Sequence, residues 1–488
     1  MRARRIVVGI AIAAIINGAP AQAQERIDTA INSRIRDEAL NRSHVVELFD
    51  HLTNVIGPRL TGTPAYKQAA DWASAQLKTY GMTGVHLESW PFGRGWTLEG
   101  FTLEMTSPRF FPLIGYPEAW TPSTAGTLTG KPVYIGGFAN ADSVRAHAAE
   151  LRGAIVLATR PQDRFITEDR LQPTEHDQPV TIGAPPNVTA AAPLRGAALD
   201  TLLRNAHAAA VLKPTMGVDG TLFVLGSRTT KDGAVPSIVV APEHYNMIVR
   251  ALQGGAPVQL KVNVQARYWA ADTNGYNVVA EISGRDPVIG DEVVLLGAHL
   301  DSWHSATGAT DNADAVATVI EAMRILNTLG VQPRRTIRMA LWGGEEEGLL
   351  GSKAYAQAHY AGEANAAARA KLAIYLNQDP GTGPIYGWYM EGNQAAKPIL
   401  DAWLTPFRDL GARRNMIEKI GNTDHLSFTA LGLAAFNSVQ DYRDYDTKEH
   451  HTNMDFFERV RAEDLKEAAI VLASFAWHAA MRDAVIPR

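Results

Sequence analysis

Val293-Val294-Leu295-Leu296-Gly297-Ala298-His299-Leu300-Asp301 is an unbroken apolar run that ends in a histidine and an aspartate. A short segment apolar at every position, without period-two alternation, marks a strand buried on both faces, as strands of a parallel sheet are. Downstream, Val316, Val319, Ile320, Met323 and Leu326 recur at helical spacing. Thr336 to Trp342 reads as another strand and Gly348 to Ala358 as another helix. Leu372 to Leu376 and Ala434 to Val439 continue the pattern, and Glu463 to Ala480 closes it with a helix. Strands alternating with helices imply the α/β class, here a mostly parallel mixed sheet flanked by helices. In such sheets, active sites gather beyond the carboxyl ends of the strands.

Upstream the texture differs. Ser43 to Asn54 and Tyr66 to Tyr80 read as helices, the second ended by Gly81. Val85 to Glu88 and Trp96 to Met105 read as strands. From about Ser107, proline and glycine become frequent. Short β-type runs appear at Pro132 to Ile135, Ala154 to Ala158, Ala209 to Leu212 and Ser237 to Val240, with few helical stretches. This predicts a β-rich module over residues 110–268, inserted between residues 24–109 and 269–488 of one domain.

A chain of 488 residues exceeds one ordinary core, which fits two units. The hydrophobic share of 46%, the charged share of 20% and a formal charge of -5 without charge blocks fit a globular protein. They speak against a nucleic-acid or anionic-membrane partner. Arg2, Arg4 and Arg5 precede an apolar stretch from Ile6 to Ile16, and Ala21-Gln22-Ala23 follows. That is the form of a secretory signal cut after Ala23, giving an exported protein, periplasmic or secreted. The apolar stretch is short for a membrane span, and no later segment is long enough for one. Cysteine is absent, so any metal site must use His, Asp and Glu.

His299, Glu345, Glu346 and Asp379 each follow a predicted strand at its carboxyl end. Each motif alone has an ordinary reading. Gly344-Glu345-Glu346-Glu347-Gly348 could complement a helix dipole. Asp379-Pro380-Gly381 could be a turn, and His450-His451 an exposed polar loop. Metal-type ligands at several strand ends of one sheet, however, are hard to produce by accident.

The chain resembles the co-catalytic zinc aminopeptidase family, especially its carboxypeptidase Q branch. The resemblance rests on His299-Leu300-Asp301-Ser302-Trp303, Asp311-Asn312, Glu345-Glu346-Glu347-Gly348-Leu349, Asp379, Thr423-Asp424-His425 and His451-Thr452-Asn453-Met454-Asp455. It spans nearly all the mature chain and implies a zinc exopeptidase fold with an inserted protease-associated domain. It further implies two zinc ions per chain. His299 and His451 would bind one each, Asp311 would bridge them, and Glu346 and Asp379 would complete the shells. The resemblance makes Glu345 the general base and Asp301 the group that fixes the tautomer of His299. It also makes the Asp311–Asn312 peptide bond cis. His425 is a candidate oxyanion or substrate contact. Glu347 should point elsewhere on its helix, and His304 and His450 receive no role.

The activity implied is hydrolysis of short peptides or dipeptides by a metal-bridged hydroxide with a Glu general base. The choice among aminopeptidase, carboxypeptidase and dipeptidase stays open, and a homodimer is allowed. A glutaminyl cyclase-like transferase uses one zinc, against five apparent ligands here. A non-catalytic, receptor-like binding protein would have no need of these ligands. A periplasmic binder with two α/β lobes would carry no stoichiometric zinc.

Overall fold

Three sheets organise the chain in the computed structural model, which describes residues 25–175, 196–231 and 233–488. The predicted export signal lies outside the described residues. Helix α1 (Thr29–Asn41) starts where the Asp28 carboxylate accepts from the Ile31 N–H. Helix α2 (Pro64–Thr79) is capped by the Thr63 hydroxyl accepting from the Tyr66 N–H, with proline in the first turn, where its missing N–H costs nothing. Gly81, at φ +79°, follows its end.

The central sheet has seven strands: β1 (Thr83–Pro91), β2 (Asn274–Ile282), β3 (Val293–His299), β4 (Thr336–Trp342), β5 (Leu372–Asn377), β6 (Thr382–Tyr389) and β7 (Ala435–Asp441). Their order is β1-β2-β4-β3-β5-β7-β6. The inner four, β4, β3, β5 and β7, are parallel, whereas β1, β2 and β6 pair antiparallel at the two sides. The sheet is therefore mixed, with the expected parallel strands at its centre. The chain leaves β3 to one side for β4 and crosses to the other side for β5. That reversal opens a crevice at the carboxyl end of β3, where His299 sits.

Both faces are covered, which is why β3 is apolar throughout. On one face Val294 and Leu296 pack against α1, α3 (Asp314–Thr328) and α5 (Ala462–Met481). On the other, Val293, Leu295 and Trp342 meet Tyr355 and Tyr360 of α4 (Leu350–Tyr360) and Phe428. Every residue of α3 from Asp314 to Leu326 is buried, so this helix is core on all sides.

None of the described strands between residues 110 and 268 joins the central sheet. Gly115–Pro117, Ser237–Val240, Ala210–Pro214, Ile155–Leu157 and Val133–Tyr134 form a five-stranded sheet of their own, in that order. The last four run parallel. Helices Gly196–Asn205 and Pro242–Gln253 cover opposite faces through Leu199 and Leu203, and through Tyr245, Ile248 and Val249. This unit is thus a small α/β layer with more helix than the sequence suggested. Strand Gly95–Ser107, grouped in the sequence with residues 24–109, pairs instead with Gln259–Trp269 in a separate four-stranded sheet. The pair forms an antiparallel stalk at the two ends of the inserted stretch.

Candidate metal centre

The carboxyl ends of the four parallel strands supply the groups singled out in the sequence. His299 ends β3. Beyond β4 the chain turns through Gly343-Gly344, where a Cβ on Gly343 would stand 2.1 Å from the Tyr66 hydroxyl and Gly344 has φ +68°. Only glycine lets the backbone pass there, and the next residues are Glu345 and Glu346. Asp379 follows β5, and His451 lies in the loop after β7.

Asp311 is the hub. Its Oδ1 lies 3.2 Å from His299 Nε2 and its Oδ2 lies 3.4 Å from His451 Nε2. Asp379 Oδ1 is 3.8 Å from the same His299 nitrogen, and Glu346 Oε2 is 2.9 Å from His451 Nε2. His299 Nδ1 donates to the Asp301 backbone carbonyl at 3.0 Å, so Nε2 presents its lone pair to the cluster. The Asp301 carboxylate stands farther from that ring, at 3.6 Å. It accepts instead from the Thr61 hydroxyl at 3.1 Å and from the N–H groups of Glu345 and Glu346 at 3.3 and 3.4 Å. Asp301 therefore orients His299 mainly through its backbone, while its side chain fixes the turn bearing the two glutamates. The Asp311–Asn312 peptide bond is cis, as expected, and Asp379–Pro380 is cis as well.

The donor set fits divalent cations. His299 Nε2, Asp311 Oδ2 and Glu346 Oε1 are buried, and none is aligned in a hydrogen bond. Ligand atoms of His299, Asp311 and Glu346 lie within 4.8 Å of one another, as do those of Asp311, His450 and His451. Ligands on a tetrahedral zinc stand about 3.3 Å apart, given bonds of about 2.0–2.1 Å. Nitrogen and carboxylate atoms at such spacings face common points between them. The spacing also draws in His450, whose ring centroid is 3.8 Å from that of His451.

Electrostatics agree with this fit. Burial raises Glu345 and Glu346 well above the usual carboxylate range, and neighbouring carboxylates add to the shift. Burial opposes ionisation of Asp311 too, but the adjacent imidazoles of His299, His451 and His450 hold it below that range. Burial disfavours the His299 cation, yet Asp301, Asp311 and Asp379 outweigh it and raise that ring. Burial lowers His451 and pushes His450 down to about 3. Glu346 and His451 are thus driven toward neutral forms although they touch. So many buried acids call for compensating positive charge.

Some residues stand where the sequence did not place them. Glu347 is absent from the groups of metal-type ligands among the described residues, but its carboxyl oxygens are buried, and burial and the nearby Asp301 charge raise it. Asp455, quoted in the last motif without a role, accepts from the Thr310 N–H and hydroxyl at 2.8 and 2.9 Å and from the Asp311 N–H at 3.2 Å. It ties the Asp311 loop to the His451 loop, and its place in that motif was the available signal. His304 is buried, and its Nε2 lies 2.8 Å from the Pro117 carbonyl. His425 is fully buried, with Nε2 3.1 Å from Glu391 Oε1. Trp303 meets the His451 ring edge-on at 6.1 Å and, with Ser305, Asp311 and Glu346, lines a narrow cavity beside the cluster.

Residues 277–476 match the model of peptidase family M28. Across 462 residues the chain is 26% identical to carboxypeptidase Q of Homo sapiens, over 94% of this chain and 89% of that protein. The chain is a metallo-exopeptidase similar to family M28. A solved peptidase M28 precursor from Shewanella amazonensis SB2B is similar to this chain over 94% of this chain and 98% of the other, with 26% identity and a TM-score of 0.71. A zinc aminopeptidase from Bacillus subtilis shares the fold at 17% identity and a TM-score of 0.58, over 90% of this chain and 95% of its own.

Proposed function

We propose that this chain is a zinc-dependent exopeptidase of short peptides or dipeptides, with two cations flanking Asp311. The observation that carries the reading is the division of ligands by the two Asp311 oxygens. His299 and Asp379 gather near Oδ1, while His451 and Glu346 gather near Oδ2. When bound, the ions would polarise the scissile carbonyl and lower the pKa of water at the site.

Glu345 is assigned as general base. It is adjacent to the ligand Glu346, and its backbone N–H is held by Asp301 Oδ1. Its carboxylate would take a proton from the attacking water and return it to the departing amine nitrogen. The carbonyl of Asp301 keeps the proton of His299 on Nδ1, leaving Nε2 free to ligate. Trp303 and the loop of His451 wall the cavity beside Asp311, which limits water there. Residues 110–268 are assigned as a protease-associated module that shades the site, and residues 1–23 as an export signal. His425 receives no step.

The test is metal analysis joined to substrate mapping. Elemental analysis of native, active protein is expected to give about two zinc ions per chain. A panel of free, amino-blocked and carboxyl-blocked peptides, read by mass spectrometry, is expected to show terminal cleavage only. One ion or none in active enzyme, or internal cleavage of end-blocked peptides, would overturn the reading.

A further inference from the structure

We infer that the inserted module is a working part of this metal centre, because its 222–224 loop and Asp169 position His451. The inference rests on the two-cation reading above. His451 has φ +61°, a conformation that L side chains rarely adopt, so its backbone must be held from outside. The module provides that hold. Phe223 forms an antiparallel bridge with Thr452, and the Val224 N–H donates to the His451 carbonyl at 2.9 Å. Asn453 closes the exchange: its N–H donates to the Leu222 carbonyl at 3.0 Å, and its Oδ1 accepts from the Leu222 N–H at 2.6 Å.

A second clasp lies just upstream. The Asp169 carboxylate accepts from the N–H groups of Asp444 and Thr447 at 2.7 and 2.9 Å, and from the Thr447 hydroxyl at 2.9 Å. Arg170 donates to the Asp446 carboxylate from its backbone N–H at 2.8 Å and from Nε at 2.7 Å. The turn that delivers His451 is therefore pinned by the module on both sides. His299, by contrast, ends a strand of the central sheet, and Asp379 directly follows another. The two halves of the centre differ in what fixes them. The Glu346–His451 half depends on the module, and the His299–Asp379 half depends on the sheet. Asp169 and Asn453 are positioning residues, and loosening them should weaken one cation site selectively.

The experiment is a calorimetric titration of chelator-stripped, full-length protein with zinc chloride alone. The natural chain is expected to take up two ions. In Asn453→Ala and Asp169→Ala, one ion should bind as before while the other weakens by about 10–100-fold, the usual effect of losing a partner that orients a ligand. Asp169→Asn, whose amide oxygen still accepts, should restore most of the affinity, a rescue that general damage to the fold would not give. If Asn453→Ala does not fold, the Asp169 pair decides alone. Unchanged binding of both ions in the alanine variants, equal weakening of both, or no rescue by asparagine overturns the inference and leaves the two-cation reading standing. Fewer than two ions in the natural chain overturns that reading, and the inference with it.

Discussion

Glu345 and Glu346 are chain neighbours to which opposite tasks are assigned, and single substitutions separate them. Glu345→Gln keeps the shape and removes the base. Its metal content should stay near normal while kcat falls by about 10²–10⁴-fold. Glu346→Ala removes the carboxylate 2.9 Å from His451 and should cost metal as well as activity. Parallel metal analysis and kinetics check the pair, and the reverse pattern would exchange the two roles. At this scale the sequence carried most of the candidate site, because ligands at strand ends leave a mark in residue type and spacing. The Asp301 carboxylate was misjudged, and the burial of the Glu347 oxygens was not foreseen. Where a side chain lands after Gly343-Gly344 depends on Tyr66, Thr61 and Trp90, which are far away in the chain.

Among elements, the loop from Leu300 to Gly308 joins two ligand-bearing segments and is tied down by a buried cation. The Arg59 guanidinium is fully buried and donates to the carbonyls of Leu300, Gly57, Thr307 and Gly308 at 2.8–2.9 Å. Arg59→Met would leave several buried acceptors unsatisfied, each costing about 1–3 kcal/mol. A loss of at least about 3 kcal/mol in denaturant unfolding is expected, and a change under about 0.5 kcal/mol would dismiss this role for Arg59. Helix α3 is joined to α1 by a similar network, in which Arg324 contacts Glu38 at 2.9 Å and Glu321 at 2.7 Å. Burial alone would raise Glu38, but hydrogen bonds from Arg324 and Arg42 outweigh it and hold the folded pKa low. A depressed acid stabilises the fold above its unfolded pKa, near 4.3, and that contribution fades as pH falls through the folded value. Urea midpoints should therefore drop below about pH 4.3, and less steeply in Arg324→Met. Equal acid limbs in both proteins would show that Glu38 does not contribute. The Arg59 contacts with the 300–308 loop and the Arg324–Glu38 pair are long-range and had no counterpart in local sequence. The helices of residues 196–205 and 242–253 were missed for a different reason: each is short and lies among glycines and prolines that read as loop.

For the whole molecule, alternating strands and helices were legible because parallel strands bury both faces and become apolar throughout. Which strands run antiparallel was not, since β1, β2 and β6 differ from the inner strands in direction rather than in residue type. The same architecture gathers Asp301, Asp311, Glu345, Asp379, Asp424 and Asp455 out of water around one crevice. Buried carboxylates without compensating charge are costly, and Asp424 is pushed to about 7 by its burial. Bound cations would supply that charge and would bind only the folded chain, so removing them should lower stability as well as activity. An ion free at about 100 times its Kd adds about 2.7 kcal/mol to the folded state. Chelator-treated protein should unfold several degrees lower than the loaded form at the same scan rate, and hydrolysis should stop. Zinc should restore both, and cobalt or manganese should restore them in part, because carboxylate-rich sites discriminate weakly among such ions. If the unfolding temperature stayed unchanged after complete removal of metal, the carboxylate cluster would be balanced by the protein itself, and the need for cations argued from its burial would fall.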